Sequence, residues 1–177
     1  SGPLLEFTVA DKSPGEVVHL PSEGGRVHLN ARVWSITPLS QVVVYRNGAV
    51  FKQVKVDEKY WSVRPNKPCA ELDVDVEVQR SGWYSLYAEG PPSDLLDVRF
   101  PQAATNAVRV YVGDQKIRDG AAAEYFVRWI DKLKSMAETW PWWRSQKERD
   151  HVFGQFDEAR RVFQHLAAEA NQKHERR

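Results

Sequence analysis

The strongest fold signal lies in residues 24–56, which read GGRVHLNARVWSITPLSQVVVYRNGAVFKQVKV. Polar and apolar side chains alternate from Arg26 to Val33, and this period of two predicts a strand with one buried face. Trp34 then falls in the polar-facing register, so the sequence predicts a bend or bulge at this position. Asn47-Gly48 follows between two β-rich runs, and this dipeptide favours a type I′ turn. The segment therefore predicts consecutive hairpin-forming strands.

Further strands follow at short spacing on both sides of this segment, separated by turns rich in proline and glycine. The predicted strands are 4–10, 16–20, 25–36, 41–46, 49–56, 70–79, 83–89 and 107–112. This rhythm is typical of an antiparallel sandwich or barrel. We predict a mainly β fold, in which residues 1–115 form an immunoglobulin-like antiparallel β-sandwich.

Gly82-Trp83-Tyr84 opens a late strand, where immunoglobulin-like sandwiches often carry a corner tyrosine. This position predicts that the Tyr84 ring enters the core and that its hydroxyl bonds to nearby backbone. Leu86 stands where antibody domains have a cysteine, so we expect no disulfide between the sheets.

The pattern becomes helical after Gly113, and residues 116–177 are predicted to form an antiparallel two-helix hairpin packed on the sandwich, with a frayed tail after about residue 171. Asp119 is the candidate N-cap of the first helix, and Pro141 ends it near Thr139 or Trp140. Ser145 and Glu148 have the spacing of a capping box for the second helix. The predicted apolar stripes are Ala122, Phe126, Trp129, Ile130, Leu133 and Met136, then Val152, Phe156, Ala159, Phe163, Leu166 and Ala170.

Charge and composition narrow the class of partner. Up to Arg118 the chain has 14 basic and 14 acidic residues, and from Asp119 onward 11 and 10. Neither part has the basic excess that binding to a phosphate backbone needs, which argues against nucleic acid as a partner. No apolar run approaches the ~20 residues of a membrane span, so none is predicted.

No catalytic or cofactor motif is present. The sequence has no Gly-x-Ser-x-Gly elbow, no phosphate-binding glycine loop and no dinucleotide fingerprint. Cys69 is the single cysteine and is interpreted as a small core residue. Glu148 and His151 give one Glu-x-x-His pair, whereas a di-iron bundle needs two such pairs on four helices. We therefore predict no cofactor, no metal and no catalytic residue in this chain.

Two groups of side chains leave alternatives open. Glu71, Asp73, Asp75 and Glu77 line one face of a predicted strand, which indicates either a solvated face paired with lysines such as Lys52 or Lys55, or a contact with an ion or partner. The other group surrounds Pro141. It is either an exposed platform on which sugar rings stack or a cluster that folds back to cap the helices, and its members are Trp140, Trp142 and Trp143.

Several runs resemble a known family. They are residues 31–39 (ARVWSITPL), 42–48 (VVVYRNG), 81–84 (SGWY), 110–113 (VYVG) and 123–131 (AEYFVRWID). These runs resemble the C-terminal region of bacterial metallohydrolases of the polymerase and histidinol phosphatase (PHP) superfamily, in the carbaryl-hydrolase-like branch. In that family the metal-binding catalytic barrel is a separate upstream domain, and none of its ligand motifs has a counterpart here.

The resemblance implies a non-catalytic accessory or docking domain, whose partner is an upstream catalytic domain of the same polypeptide. It nominates a surface facing that barrel, formed by Arg32, Trp34, Thr37 and Arg46. Since many relatives are exported, it also implies a periplasmic or secreted location. The alternative expectation is a carbohydrate-binding module, with a glycan as ligand of the tryptophans near Pro141.

Overall fold

The computed structural model of the protein describes residues 2–57, 67–94 and 100–172. The chain divides into two compact units, residues 1–117 and 118–177. The first unit contains the strands β1 (Leu4–Val9), β2 (Val17–Leu20), β3 (Gly25–Trp34), β4 (Gln41–Arg46), β5 (Ala49–Gln53), β6 (Ala70–Val78), β7 (Gly82–Glu89), β8 (Gln102–Ala104) and β9 (Val108–Val112). The second contains the helices α1 (Gly120–Glu138) and α2 (Gln146–Gln172).

The first unit is an immunoglobulin-like β-sandwich. One sheet has the strand order β1-β3-β6, and the other has the order β2-β9-β7-β4-β5, with β8 paired to the second half of β7. All pairs are antiparallel except β2 with β9, which is parallel. The chain changes sheets between β1 and β2 through Ala10 and Asp11, both at positive φ. This change of sheet brings β2 alongside the last strand and adds one parallel pair to the predicted antiparallel sandwich.

The core lies between the two sheets, where alternate residues of each strand point inward. Leu29 of β3, Leu86 of β7 and Val110 of β9 are fully buried within one apolar cluster. Burial of a leucine or valine side chain contributes roughly 1.5–3 kcal/mol, so this cluster is the main stabilising element of the unit. Cys69 is a buried member of the cluster, as the sequence predicted.

The Asn47-Gly48 turn joins β4 and β5 as predicted. Asn47 has φ 51° and Gly48 φ 82°, the two positive values that a type I′ turn requires. The Asn47 side chain then accepts the Trp83 N–H at 2.9 Å. A Cβ on Gly82 would lie 2.8 Å from Asn47 Oδ1, so this hydrogen bond explains the glycine before Trp83.

One local prediction for the strands is wrong, and one short strand was not predicted. Trp34 carries no bulge, because β3 ends there in regular register with Leu4. The irregularity in register occurs instead between Val44 and Tyr45, where β4 pairs with β5. The three-residue strand β8 was not predicted, since it is too short to show alternation.

The predicted tyrosine corner is confirmed for the ring of Tyr84 but not for its hydroxyl. The ring of Tyr84 is fully buried and meets the Phe51 ring edge to face at 5.7 Å. Its hydroxyl, however, has no hydrogen-bond partner among the described residues, so the predicted bond to backbone is absent there. Burial raises the pKa of Tyr84, which keeps the hydroxyl protonated.

The helices of the second unit begin at the predicted caps. Asp119 accepts the Ala122 N–H at 2.9 Å, and Ser145 Oγ accepts the Glu148 N–H at 3.1 Å. The return bond of the capping box goes to the Arg144 N–H rather than to Ser145. α1 ends before its C-cap Thr139, as expected from Pro141. α2 continues to Gln172, and the predicted frayed tail beyond it lies outside the described residues.

The two helices form an antiparallel hairpin. Ion pairs join Asp131 with Arg160 and Lys134 with Asp157, so residues later in α1 meet residues earlier in α2. The predicted apolar stripes are only partly buried, because each helix has one helical neighbour within the hairpin. Ile130 is buried and Leu133 half-buried, but the rest of the α1 stripe is exposed, namely Ala122, Phe126, Trp129 and Met136. In α2, Ala167 is buried in place of the predicted Leu166.

Candidate functional site

The four residues nominated as an interdomain surface do not lie on one face. Arg32 and Trp34 project from the outer side of β3, where Arg32 lies 3.8 Å from Glu71. Thr37 is only 1% exposed, and its N–H bonds to Ser35 Oγ. Arg46 belongs to the other sheet, where its guanidinium lies 5.6 Å from the centre of the Tyr84 ring. Thr37 and Arg46 therefore serve the sandwich itself.

The acidic row on β6 faces the basic and polar row on β3. The two strands place Arg26 opposite Glu77, His28 opposite Asp75, Asn30 opposite Asp73 and Arg32 opposite Glu71, and we call these eight residues the charged ladder. The row is exposed, as predicted, but its partners are on β3 rather than Lys52 or Lys55. Lys52 lies in β5 of the other sheet, which explains why sequence spacing alone did not identify the partners.

His28 is the central residue of the charged ladder. Its Nδ1 lies 3.0 Å from Asp75 and its Nε2 3.4 Å from Asp73. The hydrogen bond to Asp75 raises the pKa of His28, and the charges of Asp73 and Asp11 act in the same direction. The two carboxylates contact different ring nitrogens on opposite sides of the imidazole. In this arrangement the two carboxylates and the histidine do not converge on one point where a metal ion could bind.

No metal centre is found among residues 2–57, 67–94 and 100–172, since no three potential ligands lie close enough together to hold an ion. Glu148 is engaged with the backbone of Arg144 at the start of α2, and His151 is exposed one turn later. Glu148 is thus a capping residue rather than half of a metal site.

A row of aromatic side chains lies on the outer face of the six-stranded sheet, and it was not predicted from the sequence. Its members are half-buried, and we call them the aromatic band: Tyr45 on β4, Trp83 and Tyr87 on β7, and Tyr111 on β9. They alternate with the inward-facing residues of the same strands. The aromatic residues Trp83, Tyr84 and Tyr87 were the available signal in the sequence. Because they fall on both faces of β7, the sequence alone did not show which of them point outward.

Neighbouring contacts hold the aromatic band in place. The Tyr45 and Tyr87 rings lie 6.2 Å apart, and His19 stacks on Tyr111 at 5.7 Å. Tyr87 donates a hydrogen bond of 2.7 Å to Glu89, which raises the pKa of its hydroxyl. The band is therefore held by ring contacts at two places and has polar groups at its margin. Such a surface suits contact with another apolar face.

The tryptophans around Pro141 take different roles. Trp142 is 76% exposed and Trp140 55% exposed, so both present ring surface to water. Trp143 packs against Phe153 at 6.1 Å, and its indole N–H is buried without a partner among the described residues. Arg149 lies over the Phe153 ring at 4.6 Å from its centre. Trp143 therefore caps the hairpin, and only Trp140 and Trp142 are free to stack on a ligand.

Sequence comparison does not assign a role to any of these surfaces. A search against models of protein families finds no match, and no curated protein matches either. Neither helix in the described part of the chain is long and apolar enough to cross a membrane.

Proposed function

We propose that this chain is a non-catalytic accessory domain, which docks through the aromatic band on a catalytic neighbour in the same polypeptide. The resemblance to PHP-type metallohydrolases supplies the identity of that neighbour. The aromatic band is the observation that supports docking, because tyrosine and tryptophan dominate the binding energy of protein interfaces.

The charged ladder is the competing surface on the other sheet, and it suits docking less well. Arg26 is paired with Glu77 at 2.8 Å, and both side chains are well exposed to water. Docking there would strip water from ion pairs that are already formed, with little electrostatic gain. The aromatic band, by contrast, would lose water from apolar ring surface, which is favourable.

The test begins with the coding sequence upstream of Leu4. Where it encodes a domain with clustered histidines and aspartates, that domain is produced separately and titrated with the 177-residue chain by calorimetry. We expect Tyr45→Ala and Tyr111→Ala each to weaken binding about thirtyfold, the effect of losing an interface hot spot. Arg32→Ala on the charged ladder is the matched control and should bind normally. An upstream sequence without such a domain, or equal loss in the control, would refute the proposal.

A second candidate function is glycan binding at the interhelical loop, which the exposure of Trp140 and Trp142 favours. Sugar rings stack on flat aromatic surfaces of this kind. Titration with a broad panel of soluble glycans should then quench tryptophan fluorescence, and Trp142→Ala should abolish the response. Trp129→Ala removes an exposed tryptophan on α1 away from the loop and is the control. No response across the panel would eliminate this candidate.

A further inference from the structure

One broad side of the helical hairpin is apolar and carries exposed side chains. Six large side chains there are each 42–59% exposed. We call them the hairpin face: Tyr125, Phe126, Trp129 and Met136 on α1, and Val162 and Leu166 on α2. The hairpin face shares no residue with the aromatic band of the proposed function.

Helical periodicity puts all six on the same side of the hairpin. On α1 they lie to one side of the buried residue Ile130, and on α2 to the same side of the seam as Ala159. Phe126 and Phe163 stack across the seam at 4.8 Å, at the inner border of the hairpin face. The ion pairs Asp131–Arg160 and Lys134–Asp157 span the opposite side. The hairpin therefore has one apolar side and one charged side.

We propose that two copies of this chain pack their hairpin faces together, forming an antiparallel four-helix bundle about a twofold axis parallel to the helices. Bundles of this kind bury the apolar sides of helix pairs that cannot form a core alone. The exposed parts of the six side chains amount to on the order of 500 Å² per copy, or about 1,000 Å² in the dimer. That area reaches the lower limit for a specific interface. We therefore expect dissociation in the micromolar range.

The charges at the edges of the hairpin face fit this arrangement. The twofold axis places α1 of one copy over α2 of the other at the same height, and the pairs 131–160 and 134–157 define that height. Lys132 then meets Glu158 of the second copy. Both side chains are exposed, and neither forms an ion pair within the described part of its own chain. Within one hairpin they project from opposite outer edges, so they can pair only between copies.

Analytical ultracentrifugation of the 177-residue protein over a concentration series tests the proposal. We expect a monomer–dimer equilibrium whose dissociation constant rises at least about tenfold in Trp129→Glu and in Val162→Glu. Gln164→Glu adds the same charge to the opposite side of α2 and should leave the equilibrium unchanged. Helical circular dichroism checks that each variant keeps its fold, which is expected because the substituted side chains are exposed.

A charge reversal provides the sharper experiment. Lys132→Glu and Glu158→Lys should each weaken the dimer, and the double variant should restore it, because the pair is re-formed with opposite polarity between copies. A protein that stays monomeric at every concentration overturns the proposal, and would mean that a different partner or the rest of the polypeptide covers this face. A dimer that persists in Trp129→Glu and Val162→Glu also overturns it, since the contact would then lie elsewhere.

Discussion

The sandwich and the helical hairpin bury their apolar side chains to very different extents. Each central strand has neighbours on both edges and a facing sheet, so residues such as Leu29 and Leu86 are enclosed on every side. Each helix has one helical neighbour, and the buried apolar residues of the described hairpin are Ala123, Ile130 and Ala167. The number of neighbouring elements, rather than hydrophobic content, determines how much of each unit is a core.

This difference has consequences for stability. A closed core gives a cooperative unit, whereas helices in isolation are marginal and depend on packing for most of their stability. The sandwich should therefore be the more stable unit. The hairpin should open first unless its exposed face is covered.

The largest expected effect comes from truncating the core of each unit. Leu86→Ala should lower the free energy of unfolding of the sandwich by about 3–4 kcal/mol, because the enclosed site cannot collapse around the cavity. Ile130→Ala should melt the hairpin at lower denaturant concentration and leave the sandwich transition in place. Urea titration followed by helical circular dichroism and by labelling of buried Cys69 separates the two units. Coincident transitions in both variants would show that the units unfold as one.

The orphan hydroxyl of Tyr84 should produce an effect of opposite sign. A buried hydroxyl without a partner costs about 1–3 kcal/mol, and phenylalanine has nearly the same shape. Tyr84→Phe should therefore raise the free energy of unfolding of the sandwich by about 1 kcal/mol, measured by urea denaturation. Tyr45→Phe, at a half-exposed position, is the control and should change stability little. A loss of stability in Tyr84→Phe would mean that the hydroxyl has a partner in solution.

Removal of a helix cap should have an effect of similar size, confined to the hairpin. Asp119→Ala removes the acceptor of the Ala122 N–H and should destabilise α1 by about 1 kcal/mol. The measurement is the thermal midpoint of the helical signal, with Asp119→Asn as a control that keeps a side-chain acceptor. If the Cys69 labelling rate changes as well, the independence of the two units is refuted.

The smallest effect concerns pH and the sandwich alone. Because the pKa of His28 is raised on folding, its contribution to stability is complete below the unfolded value of about 6.5. It is then lost as pH rises through the folded pKa. The thermal midpoint of the sandwich should thus fall slightly from weakly acidic to weakly alkaline pH. His28→Gln should remove that slope, and titration by NMR should show that Asp75→Asn lowers the pKa of His28.

Much of the sandwich could be predicted from the sequence, because strand alternation and turn residues are local signals. Asn47-Gly48 and the alternation from Arg26 to Val33 identify their elements without knowledge of the rest of the chain. The partners of the acidic row could not be predicted from the sequence, since pairing of β6 with β3 joins residues about 40 to 50 positions apart. The same applies to the orphan hydroxyl of Tyr84, whose surroundings come from several distant strands.

The same difference between local sequence signals and long-range packing applies to the candidate sites. Exposure of Trp140 and Trp142 next to Pro141 was one of two alternatives that the sequence left open, and only three-dimensional packing separates Trp143 from them. The aromatic band needs the order of β4, β7 and β9 in the sheet, which no local pattern provides. The exposed area of the hairpin face could not be predicted either, because apolar periodicity does not show how many neighbouring elements cover a helix.

The uniformity of the charged ladder has a further consequence for how β3 finds its partner. A slip of two residues would place Arg26 opposite Asp75 and His28 opposite Asp73, and only Arg32 and Glu77 at the ends of the ladder would lose their charged neighbours. The ladder therefore favours pairing of these strands but distinguishes the native alignment from its nearest competitors only weakly. The native alignment is instead determined at the two ends of the β3–β6 pair. At one end Gly24 lies directly against the Val78 carbonyl, and at the other the Cys69 N–H donates to the Val33 carbonyl at 2.8 Å. Gly24 thus permits a close approach of the two chain segments in the native alignment, which a residue with a side chain would prevent.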